Sequence, residues 1–139
     1  TFTIKEVNVE LKIHGKLDLL LETHDKLLIY DYKTREGMSV NSIKGDGGTN
    51  NQNYWRQLVF YKILMEKISK IKNKKVEPAL VFLKPKKTNT NRCPIVSLEI
   101  EEVDEKKVLE EIKNLIETVW KNELFNKKCN DEECKYCKE

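Results

Sequence analysis

The segment of residues 15–34, GKLDLLLETHDKLLIYDYKT, constrains the fold more than any other part of the chain. Two apolar runs, LLL and LLIY, flank the short polar turn THD, and this pattern predicts an antiparallel hairpin. One run is preceded by Asp18, and the other is followed by Asp31 and Lys33. Because an unpaired buried charge costs several kcal/mol, these side chains must compensate one another or bind something.

The spacing of these charges predicts a common patch. Side chains alternate along a strand, so Asp31 and Lys33 share a face, and the hairpin brings Asp18 beside them. Two neighbouring carboxylates repel each other unless a cation joins them, and Mg²⁺ binds through one or two carboxylates plus waters and phosphate oxygens. Lys33 would then orient or deprotonate a water, or stabilise charge developing on phosphorus. A structural Asp–Lys ion pair explains the same spacing without a metal.

The remaining periodicities predict an α+β domain. Residues 7–14 alternate between apolar and polar and predict the first strand of a three-stranded meander with the hairpin. Residues 54–70 carry apolar side chains at spacings of three and four, which predicts an amphipathic helix. There follow strands at residues 79–83 and 95–101 and a helix from an N-cap at Asp104 to about residue 125. The order βββ-α-ββ-α predicts a mixed central sheet with helices packed on it.

Two features of the middle of the chain bear on function. Residues 35–53 contain four of the five glycines and little periodicity, which predicts a long loop that either closes over a substrate or is a plain insertion. In the next helix, Gln57 and Tyr61 are four residues apart and lie on one face. An amide and a phenol suit a phosphodiester or a base, although a surface Gln57 and a half-buried Tyr61 are equally ordinary.

Composition excludes several classes of protein. Charged residues make up 35% of the chain and hydrophobic residues 39%, which is typical of a globular domain. The net charge of +3 fits a polyanionic partner and a solvated lysine surface equally well. No apolar run approaches the roughly 18 residues of a membrane span, and no signal-peptide pattern opens the chain. We therefore expect one cytoplasmic domain over residues 1–139, without a membrane partner, cut from a longer polypeptide.

Three of the four cysteines, Cys129, Cys134 and Cys137, lie in a tail of residues 126–139. Without a secretion signal, this clustering favours metal or redox chemistry over a disulfide framework.

Taken together and in this order, GKLD, IYDYKT and QLVFY resemble the RecB-type branch of the PD-(D/E)XK nuclease superfamily, which shows G-x-x-D, D-x-K and Q-x-x-x-Y. The resemblance covers about the whole chain. It is strongest to the nuclease domain at the C-terminus of UvrD-like superfamily 1 DNA helicases, where YWRQLVFYK and a tail like CNDEECKYC are familiar. It implies a restriction-endonuclease-like fold and hydrolysis of DNA, single-stranded in our expectation, with Mg²⁺ or Mn²⁺. It also implies a helicase motor in the same or an associated chain, acting in DNA repair or recombination.

The resemblance also implies roles for individual residues. They are the metal ligands Asp18, Asp31 and the carbonyl of Tyr32, the water-activating Lys33, and Gln57 and Tyr61 as DNA-binding or supporting residues. The family usually carries a further acidic residue or histidine on a helix before the first strand. The local substitutes here are Glu6, Glu10 and His14, and His14 reads as a solvated residue at a strand end.

The cysteine tail departs from the family pattern. Some relatives hold an iron–sulfur (4Fe-4S) cluster with three C-terminal cysteines and a fourth upstream of the nuclease core. A zinc or iron–sulfur site here requires Cys93, a residue outside the chain or a ligand other than cysteine. The alternative is a tail with free thiols.

Two other functions compete with the helicase-nuclease. One is a catalytically silent DNA-binding or scaffolding module, in which the basic segments of residues 70–75 and 84–92 track phosphates. The other is a stand-alone exonuclease of the CRISPR-associated type.

Overall fold

The computed structural model describes residues 2–4, 9–45, 52–67, 74–86 and 92–123. Its elements in chain order are β1 Phe2–Ile4, β2 Val9–Leu11, β3 Leu19–Glu22, β4 Lys26–Glu36, α1 Val40–Lys44, α2 Asn53–Glu66, β5 Lys75–Lys84, β6 Ile95–Ser97 and α3 Glu102–Trp120. The described residues form two compact units. One contains residues 14–108, and the other combines the described parts of residues 1–13 and 109–139.

The unit of residues 14–108 is built on a four-stranded mixed sheet with the order β3-β4-β5-β6. The predicted hairpin is confirmed, because β3 and β4 pair antiparallel with Leu19 opposite Tyr30 and Glu22 opposite Leu27. β4 and β5 are parallel, so the chain between them has to cross over the sheet, and α1 and α2 lie in this crossover. The predicted fold, a mixed α/β sheet with helices packed on it in the restriction-endonuclease-like manner, is confirmed.

The predicted three-stranded meander is wrong. β2 pairs antiparallel with β1, with Phe2 opposite Leu11, and these two strands form a separate two-stranded sheet. An alternating pattern predicts that a strand is half buried, but it does not identify the neighbouring strand.

The predicted loop of residues 35–53 is partly structured. β4 extends to Glu36, and the short helix α1 follows. Ser39 caps α1, since its side chain accepts a hydrogen bond from the backbone N–H of Ser42 at 3.2 Å. Gly45 ends α1 with a φ of 91°, a left-handed conformation that favours glycine. Residues 46–51 lie outside the described residues.

Several boundaries also differ from those predicted. β6 ends at Ser97 rather than at residue 101, and α3 ends at Trp120 rather than at about residue 125. β5 is longer than residues 79–83 and begins at Lys75; in its first half the buried Val76 and Pro78 alternate with Lys75 and Glu77. Asp104 is not the N-cap of α3, which already begins at Glu102. Instead the Asp104 carboxylate accepts a hydrogen bond from the backbone N–H of Glu101 at 2.9 Å, as the acidic partner in a capping box does.

The helix α2 packs against one face of the two inner strands. A buried apolar cluster joins side chains of the helix to side chains of the sheet: Leu27, Ile29, Tyr61, Met65 and Val76. On β4 the row of buried side chains on this face, Leu27 and Ile29, continues with Asp31. The sheet therefore places a carboxylate at the position where the next core residue belongs. Within the described part of the chain, no helix is long and apolar enough to cross a membrane.

The burial of side chains along β5 predicts that two of its leucines contribute differently to the stability of the fold. The Leu80 side chain is fully buried, whereas that of Leu83 is 51% exposed. We expect Leu80→Ala to lower the free energy of unfolding by about 2–5 kcal/mol, since it removes buried apolar atoms and leaves a cavity. Leu83→Ala, the matched control, should change it by less than about 0.5 kcal/mol. Urea unfolding measures both, and equal losses would contradict the packing.

Candidate active site

The carboxylate of Asp31 lies at the centre of a hydrogen-bonded group that also contains Lys33, Gln57 and Tyr61; we call this group the Asp31 cluster. Asp31 is only 5% exposed. Its Oδ1 accepts hydrogen bonds from Gln57 Nε2 at 3.0 Å and from the Tyr61 hydroxyl at 3.3 Å. Its Oδ2 lies 2.5 Å from Lys33 Nζ, an ion-pair contact, but receives no hydrogen bond of ordinary geometry from the described residues. One oxygen of this buried carboxylate is thus neutralised in charge but not satisfied by a hydrogen bond.

The ammonium of Lys33 is held from three sides. Nζ donates to Gln57 Oε1 at 2.7 Å, contacts Asp31 Oδ2 and lies 4.7 Å from the centre of the Tyr54 ring. The Lys33 side chain is 16% exposed, so solvent and ligands can still reach it. An ammonium has three donors, so the contacts with Gln57 and Asp31 leave one for a water or a phosphate oxygen.

Gln57 fixes the relative positions of the other members. Its Oε1 accepts from Lys33, while its Nε2 donates both to Asp31 Oδ1 and to the Tyr61 hydroxyl, the latter at 2.9 Å. This pattern allows only one orientation of the amide, since reversing it would point donors at an ammonium. The crossover between the parallel strands carries α2, and with it Gln57 and Tyr61, over the carboxylate.

Asp18 stands at the start of β3 and is exposed. Its Oδ2 accepts a hydrogen bond from the backbone N–H of Tyr32 at 2.9 Å. The antiparallel register, continued by one residue from the Leu19–Tyr30 pair, sets Asp18 opposite Asp31, and opposite residues share a face of the sheet. The side chain of Tyr32 itself is 42% exposed, so only its backbone belongs to this site.

Both carboxylates affect the pKa of the Tyr61 phenol. Burial raises the pKa of Tyr61 above its ordinary value of 10.0, the hydrogen bond from Gln57 lowers it, and the negative charges of Asp31 and Asp18 raise it again. The net shift is upward, so the phenol stays protonated and serves as a hydrogen-bond donor to Asp31.

The glycine of the GKLD segment lies against the helix that completes the site. A Cβ atom on Gly15 would come within 2.9 Å of Leu64 Cδ1 and 3.7 Å of Tyr61 Cε1. The lack of a side chain at Gly15 therefore lets the chain leading into β3 approach α2 closely. The GKLD motif by itself does not predict this contact between Gly15 and α2.

Two further residues at this site, Tyr54 and Arg35, were not predicted from the sequence. The Tyr54 ring lies beside Lys33 Nζ and is 5.8 Å from Arg35 Cζ, so it contacts two cations of β4. Tyr54 precedes Gln57 by three residues in α2 and hence shares its face, which was the signal available in the sequence.

The remaining predicted site residues add nothing to this group within the described part of the chain. Cys129, Cys134 and Cys137 lie outside the described residues, as does Glu6. His14 and Cys93 are exposed. Among the residues that the structure describes, no group of three or more histidine, cysteine, aspartate or glutamate side chains is arranged to hold a metal ion.

The donor atoms at Asp18 and Asp31 nevertheless fit a hard divalent cation. Two carboxylates that face the same patch are the protein share of a typical Mg²⁺ site, in which waters and substrate oxygens complete the coordination. The Asp31 Oδ2 atom, buried and without a hydrogen bond, is the donor such an ion would use. Asp18, Asp31 and the Tyr32 carbonyl would hold it.

The raised pKa of Tyr61 predicts a late step in an alkaline titration. The Tyr61 phenol should keep its proton as the pH rises through about 10, the ordinary value for a tyrosine. Absorbance at the phenolate band should show a component that titrates above this ordinary value and is absent in Tyr61→Phe. In Asp31→Asn this component should move to lower pH, because one of the charges that raise the pKa is gone. A single common transition in the parent protein would contradict the assignment.

Comparison with known proteins identifies the family of this chain. A family model of the PD-(D/E)XK nuclease superfamily matches residues 1–138. No curated protein and no solved structure matches the chain significantly. Since the match spans nearly the whole chain and implies a nuclease, the chain belongs to the PD-(D/E)XK nuclease superfamily.

Proposed function

We propose that this chain is a deoxyribonuclease that hydrolyses phosphodiester bonds with Mg²⁺ or Mn²⁺. The observation that carries the proposal is the state of Asp31: a carboxylate at a core position, with one oxygen that has an ammonium beside it and no hydrogen bond. A position that served the core alone would favour an apolar side chain, because replacing a buried ion pair by well-packed apolar residues is often neutral or stabilising.

Each residue of the Asp31 cluster has a role in this proposal. A bound divalent ion would supply a Lewis acid that polarises a phosphoryl oxygen. Lys33, fixed by Gln57, would use its remaining N–H to orient the attacking water or to stabilise negative charge on the phosphate. Tyr61 and Gln57 hold Oδ1 of Asp31, so the carboxylate cannot rotate freely. The hydrogen bond from the Tyr32 N–H to Asp18 fixes the peptide whose neighbouring carbonyl is the proposed third ligand.

Lys33 also takes the place of the metal charge when no metal is bound. Its ammonium lies 2.5 Å from Asp31 Oδ2, the atom that the proposed ion would contact. A cation entering the site would have to displace this contact, and Lys33 would keep its hydrogen bond to Gln57. The displaced ammonium would then face the substrate.

The wider context is part of the same proposal. The order of GKLD, IYDYKT and QLVFY and the cysteine tail support a RecB-type domain working with a UvrD-like helicase on single-stranded DNA in repair or recombination. A stand-alone exonuclease of the CRISPR-associated type would carry the same site. A phosphate-binding loop and helicase motifs, in the same polypeptide or in a tightly associated one, would distinguish the first from the second.

A catalytically silent DNA-binding module is the second candidate. The short ion pair between Lys33 and Asp31 favours it, because that pair neutralises the buried carboxylate without a metal. Such a module would bind DNA in a salt-sensitive manner and would not cleave it, whichever metal ion is added.

Cleavage of a labelled single-stranded oligonucleotide with Mg²⁺ or Mn²⁺ tests the proposal. Asp31→Asn and Lys33→Met should each lower the rate by at least about 100-fold, the size typical for loss of a catalytic acid–base or electrostatic group. Lys26→Met is the matched control on the same strand, since Lys26 forms an ion pair with Glu77 at 3.2 Å, away from the cluster. It should cleave like the parent. Parental rates in the Asp31 and Lys33 variants would exclude this active site.

A further inference from the structure

The exposed cation Arg35 lies next to the Asp31 cluster and has no role in the chemistry described so far. It follows Lys33 by two residues on β4. The register between β4 and β5 shifts between Lys33 and Glu36, yet Arg35 and Lys33 both reach the ring of Tyr54, at 5.8 Å and 4.7 Å. Both distances are within the range of a cation–π contact. One aromatic ring therefore holds two positive charges on the same side of the sheet.

The charges at this point are not balanced within the described residues. Lys33 is paired with Asp31, whereas Arg35 forms no ion pair with any carboxylate that the structure describes. A ring offsets part of the repulsion between neighbouring cations, but it carries no net charge. The pair of cations therefore favours an anion as its third partner.

The beginning of α2 adds to the positive potential. Tyr54 is the second residue of this 14-residue helix, and the first turn contains no acidic side chain. The N-cap residue Gln52 makes no capping hydrogen bond with its side chain, which donates to the Lys44 carbonyl at 2.8 Å instead. The helix dipole places partial positive charge at this end, in the same place as Arg35 and Lys33.

We propose that Arg35 and Tyr54 form a subsite that binds the phosphate next to the scissile one on a nucleic-acid strand. Arg35 contacts this flanking phosphate, which its planar guanidinium can bind through two parallel hydrogen bonds. Tyr54 is a positioning residue, which holds Arg35 and Lys33 in line along β4. The inference rests on the proposed nuclease function and identifies how the strand is held there.

Binding measurements separate this subsite from the chemistry. In an Asp31→Asn background, which holds DNA without cutting it, fluorescence anisotropy of a labelled single-stranded oligonucleotide is followed over a range of NaCl concentrations. Adding Arg35→Ala should weaken binding several-fold and reduce the slope of log affinity against log salt by about 0.7, the value for one phosphate contact on a single strand. Arg35→Lys should keep the slope and lose part of the affinity, because the charge remains and the planar fork is lost.

Two controls make the result specific. Lys113→Ala removes an exposed cation from α3 and should leave affinity and slope unchanged. Tyr54→Leu should weaken binding more than Tyr54→Phe does, because phenylalanine retains the ring that holds the two cations.

The outcomes distinguish the subsite from the proposed function. If the parent protein cleaves DNA but Arg35→Ala keeps the affinity and the salt slope, the subsite is overturned while the nuclease assignment stands. If Arg35→Ala shows the expected losses but the parent does not cleave DNA, whichever metal ion is added, the subsite stands and the catalytic proposal fails.

Discussion

A carboxylate at a core position of the sheet is the constraint around which this site is organised. Asp31 continues the buried row of Leu27 and Ile29 on the face of β4 that α2 covers. A charge in such a place is tolerated only with a counter-charge and hydrogen bonds, and Lys33, Gln57 and Tyr61 supply them. In the proposed reaction, the same three side chains would hold Asp31 in position. The contacts that stabilise the fold here are therefore also those that fix the geometry of the site.

The site combines local and distant parts of the chain. The hairpin of β3 and β4 brings Asp18 to Asp31 through a short turn, and this part of the geometry is local. Gln57 and Tyr61 arrive through the crossover that the parallel pairing of β4 and β5 requires. Gly15 brings the hairpin and α2 together, because its missing side chain lets the segment before β3 lie close to α2. A change in the packing of α2 would therefore move the side chains that hold both Asp31 and Lys33.

The sequence predicted the parts of this structure that depend on short-range patterns. The alternation around residues 15–34 predicted the hairpin, and the spacing of Gln57 and Tyr61 predicted their common helical face. The pairing of β2 with β1 was not predictable, because alternation reports burial and does not report a partner. Arg35 and Tyr54 were missed for a similar reason. Their contact joins a strand to a helix through the fold, and neither residue carries a motif of its own.

In our proposal, Asp31 is kept in the core to bind a divalent cation, and Lys33 occupies the place of that cation until it binds. Calorimetric titration of Mn²⁺ into the parent protein and two variants tests this directly, without DNA. We expect Asp31→Asn to abolish binding, and Lys33→Met to bind at least as tightly as the parent, since the competing ammonium is gone. Undiminished Mn²⁺ affinity in Asp31→Asn, or a loss of affinity in Lys33→Met, would contradict the account.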